Sequence, residues 1–461
     1  MRRGDAAFIW VGVAVALIVL TAVVAVPFLV TFDGYYYLSG SEVLFTKDAP
    51  DNFWWLREPG YSVLLRGIRG IFGTSDIWIT LTQTFMIVIG GIASAVAVWM
   101  SRRAKSPVPA TFLASALLLG VGNAAVLLYS SAALQQACLV ISLGAIVYLA
   151  TRLSASPGWG TWVCTAVTVI LTAQLQEEFA RLMAIPLGVA AWLAVGRSSD
   201  SSRRTPPQQL LRRGAAVLGA FLACQLVVSL VLMPWDAYRS EQLQLRSDSA
   251  PVKFDDFPPL LDQVRAALAP VEPHPYSALS HLLAFVGVTG STQFVSRHYE
   301  RQIYIENRVN PALACGALEG MPAGFERVAG FADEALDTAC RSQRAISFSV
   351  GYVHVSGILY PVLLIAGLLC AVVNVVRRRI LVPSVTVVAL TMIYSVMGFG
   401  ADRYSVPLFP VAVAILLETI IATMSHLLGS RRSSPDAGVA EAEAGADHPD
   451  PLVGGSPALR G

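Results

Sequence analysis

Long apolar runs separated by short polar gaps dominate this chain. Ten runs stand out, at about 7–31, 77–100, 109–128, 133–151, 160–177, 181–196, 214–234, 350–375, 381–398 and 405–425. Each approaches the roughly 20 residues that a helix needs to cross about 30 Å of hydrocarbon. The pattern therefore predicts an all-α polytopic membrane protein with about ten transmembrane helices. Arg2 and Arg3 precede the first run as they would in a signal peptide, but the run exceeds a typical signal core and is read as an uncleaved span. The fifth and sixth runs are separated only by the narrow polar stretch Gln174–Arg181. One long helix is the alternative there.

Basic residues fall in every second gap: Arg2 and Arg3, then Arg102, Arg103 and Lys105, then Arg152. Next come Arg197, Arg203, Arg204, Arg212 and Arg213, then Arg377 to Arg379, then Arg431 and Arg432. Positive short loops face the cytoplasm. Both termini are therefore expected there, which places the chain in the cell membrane as a multi-pass protein. The outward gaps are about 32–76, a short one near Tyr129, the Glu177–Arg181 turn, about 235–349, and Gly398–Tyr404. A single helix at 160–196 would break this alternation, so two spans are kept.

Four regions follow. Residues 1–234 form an N-terminal membrane module, 235–349 a large extracytoplasmic loop, 350–429 the C-terminal membrane helices, and 430–461 a cytoplasmic tail. The tail is rich in Ser, Pro, Gly, Ala and acidic residues, so it buries too little apolar surface to offset its ordering entropy. Pro258–Ala267 and Gly324–Arg341 read as helices within the large loop.

The bulk composition agrees. Charged residues make up 14% of the 461, against about 25% in soluble proteins, and mean hydropathy is +0.59. The net charge of +2 says little by itself, but the basic residues cluster in short loops and not in a nucleic-acid-like patch. Cys138, Cys164, Cys224 and Cys370 lie in apolar runs and read as small core residues. Cys315 and Cys340 share the large outward loop, where an oxidising setting allows a disulfide. Two free thiols are the alternative. His274, His281 and His298 lack metal-ligand spacing, and no GxxxxGK[ST] or GxSxG motif occurs.

The first outward gap carries the most chemistry. It opens Thr31-Phe32-Asp33-Gly34-Tyr35-Tyr36-Tyr37 at the end of the first span and continues to Trp54-Trp55-Leu56-Arg57-Glu58-Pro59-Gly60-Tyr61. An amphipathic stretch follows, in which Val63, Leu64, Ile68, Ile71 and Phe72 share one helical face with Arg66 and Arg69 off it. It reads as a helix lying in the membrane interface. Asp33, at headgroup depth among aromatic side chains, is placed as a general base toward a lipid-borne substrate. A turn with Gly34 is its plainer role.

These features resemble the C-type (GT-C) superfamily of polyprenyl-phosphate-sugar-dependent glycosyltransferases, which includes protein mannosyltransferases and lipid A aminoarabinose transferases. The resemblance rests on Asp33 just after the first span and on Arg57-Glu58-Pro59-Gly60-Tyr61, similar to an Arg-x-Pro-Gly-Tyr motif. Arg403-Tyr404-Ser405-Val406-Pro407 before a late span and Arg181 at the outer end of a middle span add to it. It covers roughly 1–200 and 380–425. Departures exist: Gly34 stands where many members have a second acidic residue, and Gln135 and Gln136 stand where members often have a Glu.

The resemblance implies an inverting membrane glycosyltransferase that moves a hexose or pentose from a polyprenyl-phosphate donor to a glycan, lipid or protein acceptor of the cell envelope. Asp33 would be catalytic. Arg57, Arg181 and Arg403 would hold the donor phosphate, and Tyr61, Glu177, Glu178 and Tyr404 would line the acceptor site. Each of these Arg residues has a second reading, snorkelling to lipid phosphate, and the two Glu residues have one as an ordinary turn or as partners of Arg181. No motif specifies a cofactor; a divalent metal ion is left open. The implied partners are the lipid-linked sugar, membrane lipid and the acceptor, not nucleic acid. The alternatives are an envelope polysaccharide polymerase or ligase, or a lipid-linked sugar transporter. Charges gathered at span ends, not at the midplane, weigh against the last.

Overall fold

A computed structural model describes residues 3–25, 37–38, 40–41, 58–73, 75–102, 106–130, 134–197, 206–246, 282, 343–396 and 404–432. Among these residues every regular element is helical. In chain order they are α1 (Arg3–Ala25), α2 (Gly60–Phe72), α3 (Asp76–Arg102), α4 (Ala110–Gly120), α5 (Ala124–Ser130), α6 (Gln136–Ala155) and α7 (Trp159–Leu175). They continue as α8 (Glu177–Leu182), α9 (Ala184–Arg197), α10 (Pro206–Arg246), α11 (Gln343–Val376), α12 (Leu381–Val396) and α13 (Phe409–Arg432).

Among the described residues six stretches are long and apolar enough to cross a membrane: Ile77–Arg102, Gln136–Ala155, Glu177–Arg197, Pro206–Tyr238, Ile358–Val376 and Phe409–Leu427. The described residues are therefore all-helical in their regular structure, with the make-up of a multi-pass membrane protein. Four other expected spans are shorter apolar helices: Ile9–Val23, Ala110–Gly120, Trp159–Leu175 and Leu381–Ser395. Large apolar side chains lie exposed along these helices, among them Leu17, Phe85, Leu171, Leu226, Ile358 and Met392. In water such a surface would drive aggregation, whereas in lipid it is the solvated face.

Several local readings are corrected by the helices themselves. The run at 109–128 is not one helix. It stops at Gly120, passes through Val121, Gly122 and Asn123, and resumes as α5. Two capping bonds, from the N–H groups of Val121 and Gly122 to Leu117 O, close the first piece. The break between the fifth and sixth runs is one residue, Gln176, in extended backbone at φ −161°. Glu177–Arg181 is then helical and not a turn. The seventh run belongs to α10, which continues past 234 to Arg246 with Pro234 inside it. Cys164 is exposed on α7, so it is not a core residue, while Cys138 and Cys224 are buried.

The amphipathic helix α2 packs by a stripe that shares Ile68 with the apolar set read from the sequence. Tyr61, Ser62, Leu65 and Ile68 are buried, a stripe at i, i+4 and i+7. Val63, Ile71 and Phe72 are exposed. Phe72 stacks on Trp78 at 5.0 Å between ring centroids. Gly73, at φ +92°, ends the helix where an L side chain would be strained, and its N–H bonds Arg69 O at 3.0 Å.

The core is organised around the α3–α6 crossing, the most extensive helix contact. Glycines make it close: a Cβ on Gly144 would meet the Gly90 carbonyl, and one on Gly90 would meet the Val140 backbone. Small residues at membrane-helix crossings bring backbones together in this way and replace the hydrophobic drive that lipid removes. Helices that precede residue 247 and helices that follow residue 342 pack together, since α12 lies against α3, α6 and α9 and α11 against α1 and α5. Arg102 at the end of α3 bonds the fully buried Glu418 of α13 at 2.9 Å. The chain divides into two compact units, Met1–Glu418 and Thr419–Gly461.

Candidate functional site

The site begins with a sequence fact, the Glu-Pro-Gly-Tyr run that opens α2. Pro59 occupies the N-cap position at φ −76°, where its missing N–H costs no helix bond. Gly60 lies against the end of α7, and a Cβ there would strike the Gln174 carbonyl. Tyr61, fully buried, accepts a hydrogen bond from Gln83 Nε2 of α3 at 2.7 Å. Its ring meets Tyr37 edge-on at 4.8 Å between centroids. The Tyr37 hydroxyl donates to Gln135 Oε1 at 2.6 Å, and Ser62 Oγ donates to Tyr37 O at 3.1 Å. The start of the first outward gap, its Pro-Gly-Tyr run and Gln135 thus converge on one buried cluster. Burial holds the Tyr61 phenol well above its ordinary range, so it acts as a neutral hydrogen-bonding group.

The same run delivers Glu58 to the Gln176 break. Its Oε1 accepts a hydrogen bond from the Glu177 N–H at 3.1 Å, one of the donors left open at the start of α8. Glu177 and Glu178 occupy the first turn of that helix, where the macrodipole favours negative charge. Burial raises the Glu58 carboxyl from its ordinary 4.5 to about 7. Bonds from its own N–H and that of Glu177 oppose the shift, and the charges of Glu178 and Glu177 add to it. Glu58 is therefore poised to hold or release a proton near neutral pH.

Arg181 lies one turn along. Its Nε and NH2 both donate to Glu177 Oε1, at 2.8 and 2.6 Å, and its NH1 donates to Gln225 Oε1 of α10 at 2.8 Å. Of the three roles weighed for Glu177, the structure displays the pairing with Arg181. Arg181 also borders an open cavity of about 520 Å³, lined too by Ser229, Met233 and Asp236 of α10. On another side Glu178 stands within electrostatic reach of Tyr394 in α12, whose ring stacks on Tyr404 at 5.3 Å.

Five of the sequence-derived candidates are thus placed. Glu177, Glu178 and Arg181 share one short helix, Tyr61 joins through the adjoining Glu58, and Tyr404 stacks on Tyr394. Asp33, Arg57, Arg403, Cys315 and Cys340 lie outside the described residues, as do the helices expected at Pro258–Ala267 and Gly324–Arg341. Sequence reasoning missed Glu58 and Tyr394 as members of the site. A carboxylate directly before a Pro-Gly helix start was the available signal for the first; Tyr394, inside an apolar run, offered none. Among the described residues no group of three His, Cys, Asp or Glu side chains is arranged to hold a metal ion. No protein family, no curated protein and no solved structure matches this chain.

Proposed function

We propose that this protein is a membrane-embedded inverting glycosyltransferase that moves a sugar from a polyprenyl-phosphate donor to an envelope acceptor at the outer face of the membrane. The observation that carries the reading is the meeting of the Glu58-Pro59-Gly60-Tyr61 run with the Gln176–Arg181 break. It gathers three carboxylates, one Arg and an open cavity at the end of the apolar helices. Interfacial placement suits a donor whose tail stays in lipid and whose sugar lies at the surface. In sequence, Asp33 stands four residues before Tyr37, Arg57 directly before Glu58, and Arg403 directly before Tyr404. In this reading ten spans cross the membrane and both termini are cytoplasmic.

The proposed step balances as a displacement. Asp33 takes the proton of an acceptor hydroxyl while that oxygen bonds the anomeric carbon. The bond from that carbon to the phosphate oxygen breaks, and lipid phosphate leaves with the electron pair. Planar guanidinium groups of Arg57, Arg181 and Arg403 offset the charge that develops there. Purified protein assayed with polyprenyl-phosphate sugars tests the reading. Product with inverted anomeric configuration from wild type, and its loss in Asp33→Asn, is the expected result. Transport of intact lipid-linked sugar without cleavage would overturn it.

A further inference from the structure

A second cavity shares no lining residue with the first. It measures about 760 Å³ and opens between α9, α10 and the turn joining α11 to α12. Its walls are apolar, with Ile185, Val189, Trp192, Val217, Phe221 and Val385 among them. Two charged residues line it, Arg213 and Arg378, and no carboxylate does.

Both arginines are held there by specific features. The Arg213 guanidinium lies over the Trp192 ring, 5.4 Å from its centroid. Gly196 makes room for it, since a Cβ at that position would meet the guanidinium. Arg378 adopts φ +55°, a left-handed backbone where glycine is usual. The turn that imposes this is closed by bonds from Arg378 N to Val375 O at 3.0 Å and from Arg379 N to Asn374 O at 2.7 Å. Ile380 of the same turn is also left-handed, at φ +46°, so the turn as a whole fixes the Arg378 backbone beside the cleft.

The dimensions fit one lipid. From Ala184 to Leu193 the α9 wall of the cleft runs roughly 14 Å along the helix axis, close to the ~15 Å of one leaflet's hydrocarbon. Basic clefts between membrane helices recognise anionic headgroups, and the guanidinium fork matches phosphate oxygens. We propose that this cleft binds one anionic phospholipid of the leaflet on the arginine side, with its phosphate between Arg213 and Arg378 and an acyl chain along α9. The site is independent of the glycosyltransferase reading.

Native mass spectrometry of the full chain in detergent tests it, with phosphatidylglycerol and phosphatidylcholine of identical chains as probes. One phosphatidylglycerol should be retained in preference to phosphatidylcholine. Arg213→Gln with Arg378→Gln should weaken that retention at least tenfold, and Arg152→Gln, which removes a charge outside the cleft, should not. Val189→Trp keeps both charges but fills the cleft, and should also lose the lipid while melting like wild type. Equal retention of the two lipids, or equal weakening by Arg152→Gln, overturns the proposal. So does displacement of phosphatidylglycerol by polyprenyl phosphate at equal concentration, which would assign the cleft to a prenyl tail.

Discussion

Glu58 and Glu177, 119 residues apart in the chain, are joined by a hydrogen bond from the Glu177 N–H to the Glu58 carboxylate. That bond ties the start of the interfacial helix α2 to the single-residue break between α7 and α8. A carboxylate placed there satisfies an open helix donor, yet it also faces Glu178 and sits away from water. The two effects oppose each other, and the net result keeps the group close to neutrality.

Stability should therefore fall as pH rises through this group's range. Below pH 4.5 the Glu58 carboxyl is protonated in both folded and unfolded chains. Between 4.5 and about 7 the unfolded chain gives up the proton while the folded chain retains it. Folding is disfavoured progressively across that window, by on the order of 2–3 kcal/mol in all for a half-buried group. Melting of the purified protein at pH 5 and pH 8 should show a smaller drop in Glu58→Gln than in wild type. A drop of equal size in both would refute the shift.

Gly60→Ala should destabilise the protein, because the added methyl meets the Gln174 backbone, which cannot move aside as a side chain would. The cost should be about 1–3 kcal/mol. Gly67 and Gly70 provide the control on the same helix. A Cβ at either meets nothing within 4 Å, so alanine there should be neutral or slightly stabilising. Thermal melting of the three variants side by side decides the matter, and equal effects at all three positions would contradict the close approach of α2 to α7.

Arg102 and Glu418 should be strongly coupled. Glu418 is fully buried and Arg102 is partly exposed, so removing the cation takes a charge-assisted bond from a carboxylate in a dry site. Arg102→Leu should cost about 3 kcal/mol. Adding Glu418→Gln should recover part of that loss, since it removes the buried charge. A double-mutant cycle on melting midpoints measures the coupling, and additive effects would mean that the pair contributes nothing.

The apolar runs made the helices legible, because a 20-residue stretch without charge admits few other structures. Gln176 as the break was half legible: the polar stretch was visible, but the helical state of Glu177–Arg181 depends on Glu58 accepting from the Glu177 N–H. The inward face of α2 was not legible for a related reason. Val63, Leu64, Ile68, Ile71 and Phe72 form an apolar set by themselves, yet the approach of Gly60 to Gln174 and of Tyr61 to Gln83 selects the Tyr61–Leu65–Ile68 stripe. Lipid solvates the remaining apolar side chains equally well, so hydrophobicity did not rank the two faces. The Tyr37–Gln135 bond and the contacts of Tyr394 join distant segments, and nothing local in the sequence signals them.

The orientation expected from the arginines makes a labelling prediction. In a cysteine-free background, a thiol at position 300 should react with a membrane-impermeant maleimide in intact cells. Thiols at 205 and 440 should react only after permeabilisation. The exposed Cys164 must be among those replaced, since it would otherwise contribute background. External labelling at 205 would reverse the topology and move the Glu58–Arg181 site to the other face.

The acidic residues of the first outward gap should separate by function. Asp33 stands at the membrane end of that gap, where a lipid-borne sugar would lie, whereas Glu42, Asp48 and Asp51 stand further along it. Asparagine at 33 preserves shape and removes the base. Turnover with a polyprenyl-phosphate sugar should then fall by about 10²–10⁴ while the melting midpoint holds. Glu42→Gln, Asp48→Asn and Asp51→Asn should stay near wild type in both readouts. Glu58→Gln offers a further contrast, because it should alter the pH dependence of melting, which Asp33→Asn should leave unchanged. Near-normal turnover by Asp33→Asn would remove the base assignment and leave Asp33 as a turn residue beside Gly34. A fall in melting midpoint as large as that of Gly60→Ala would point to the same structural role.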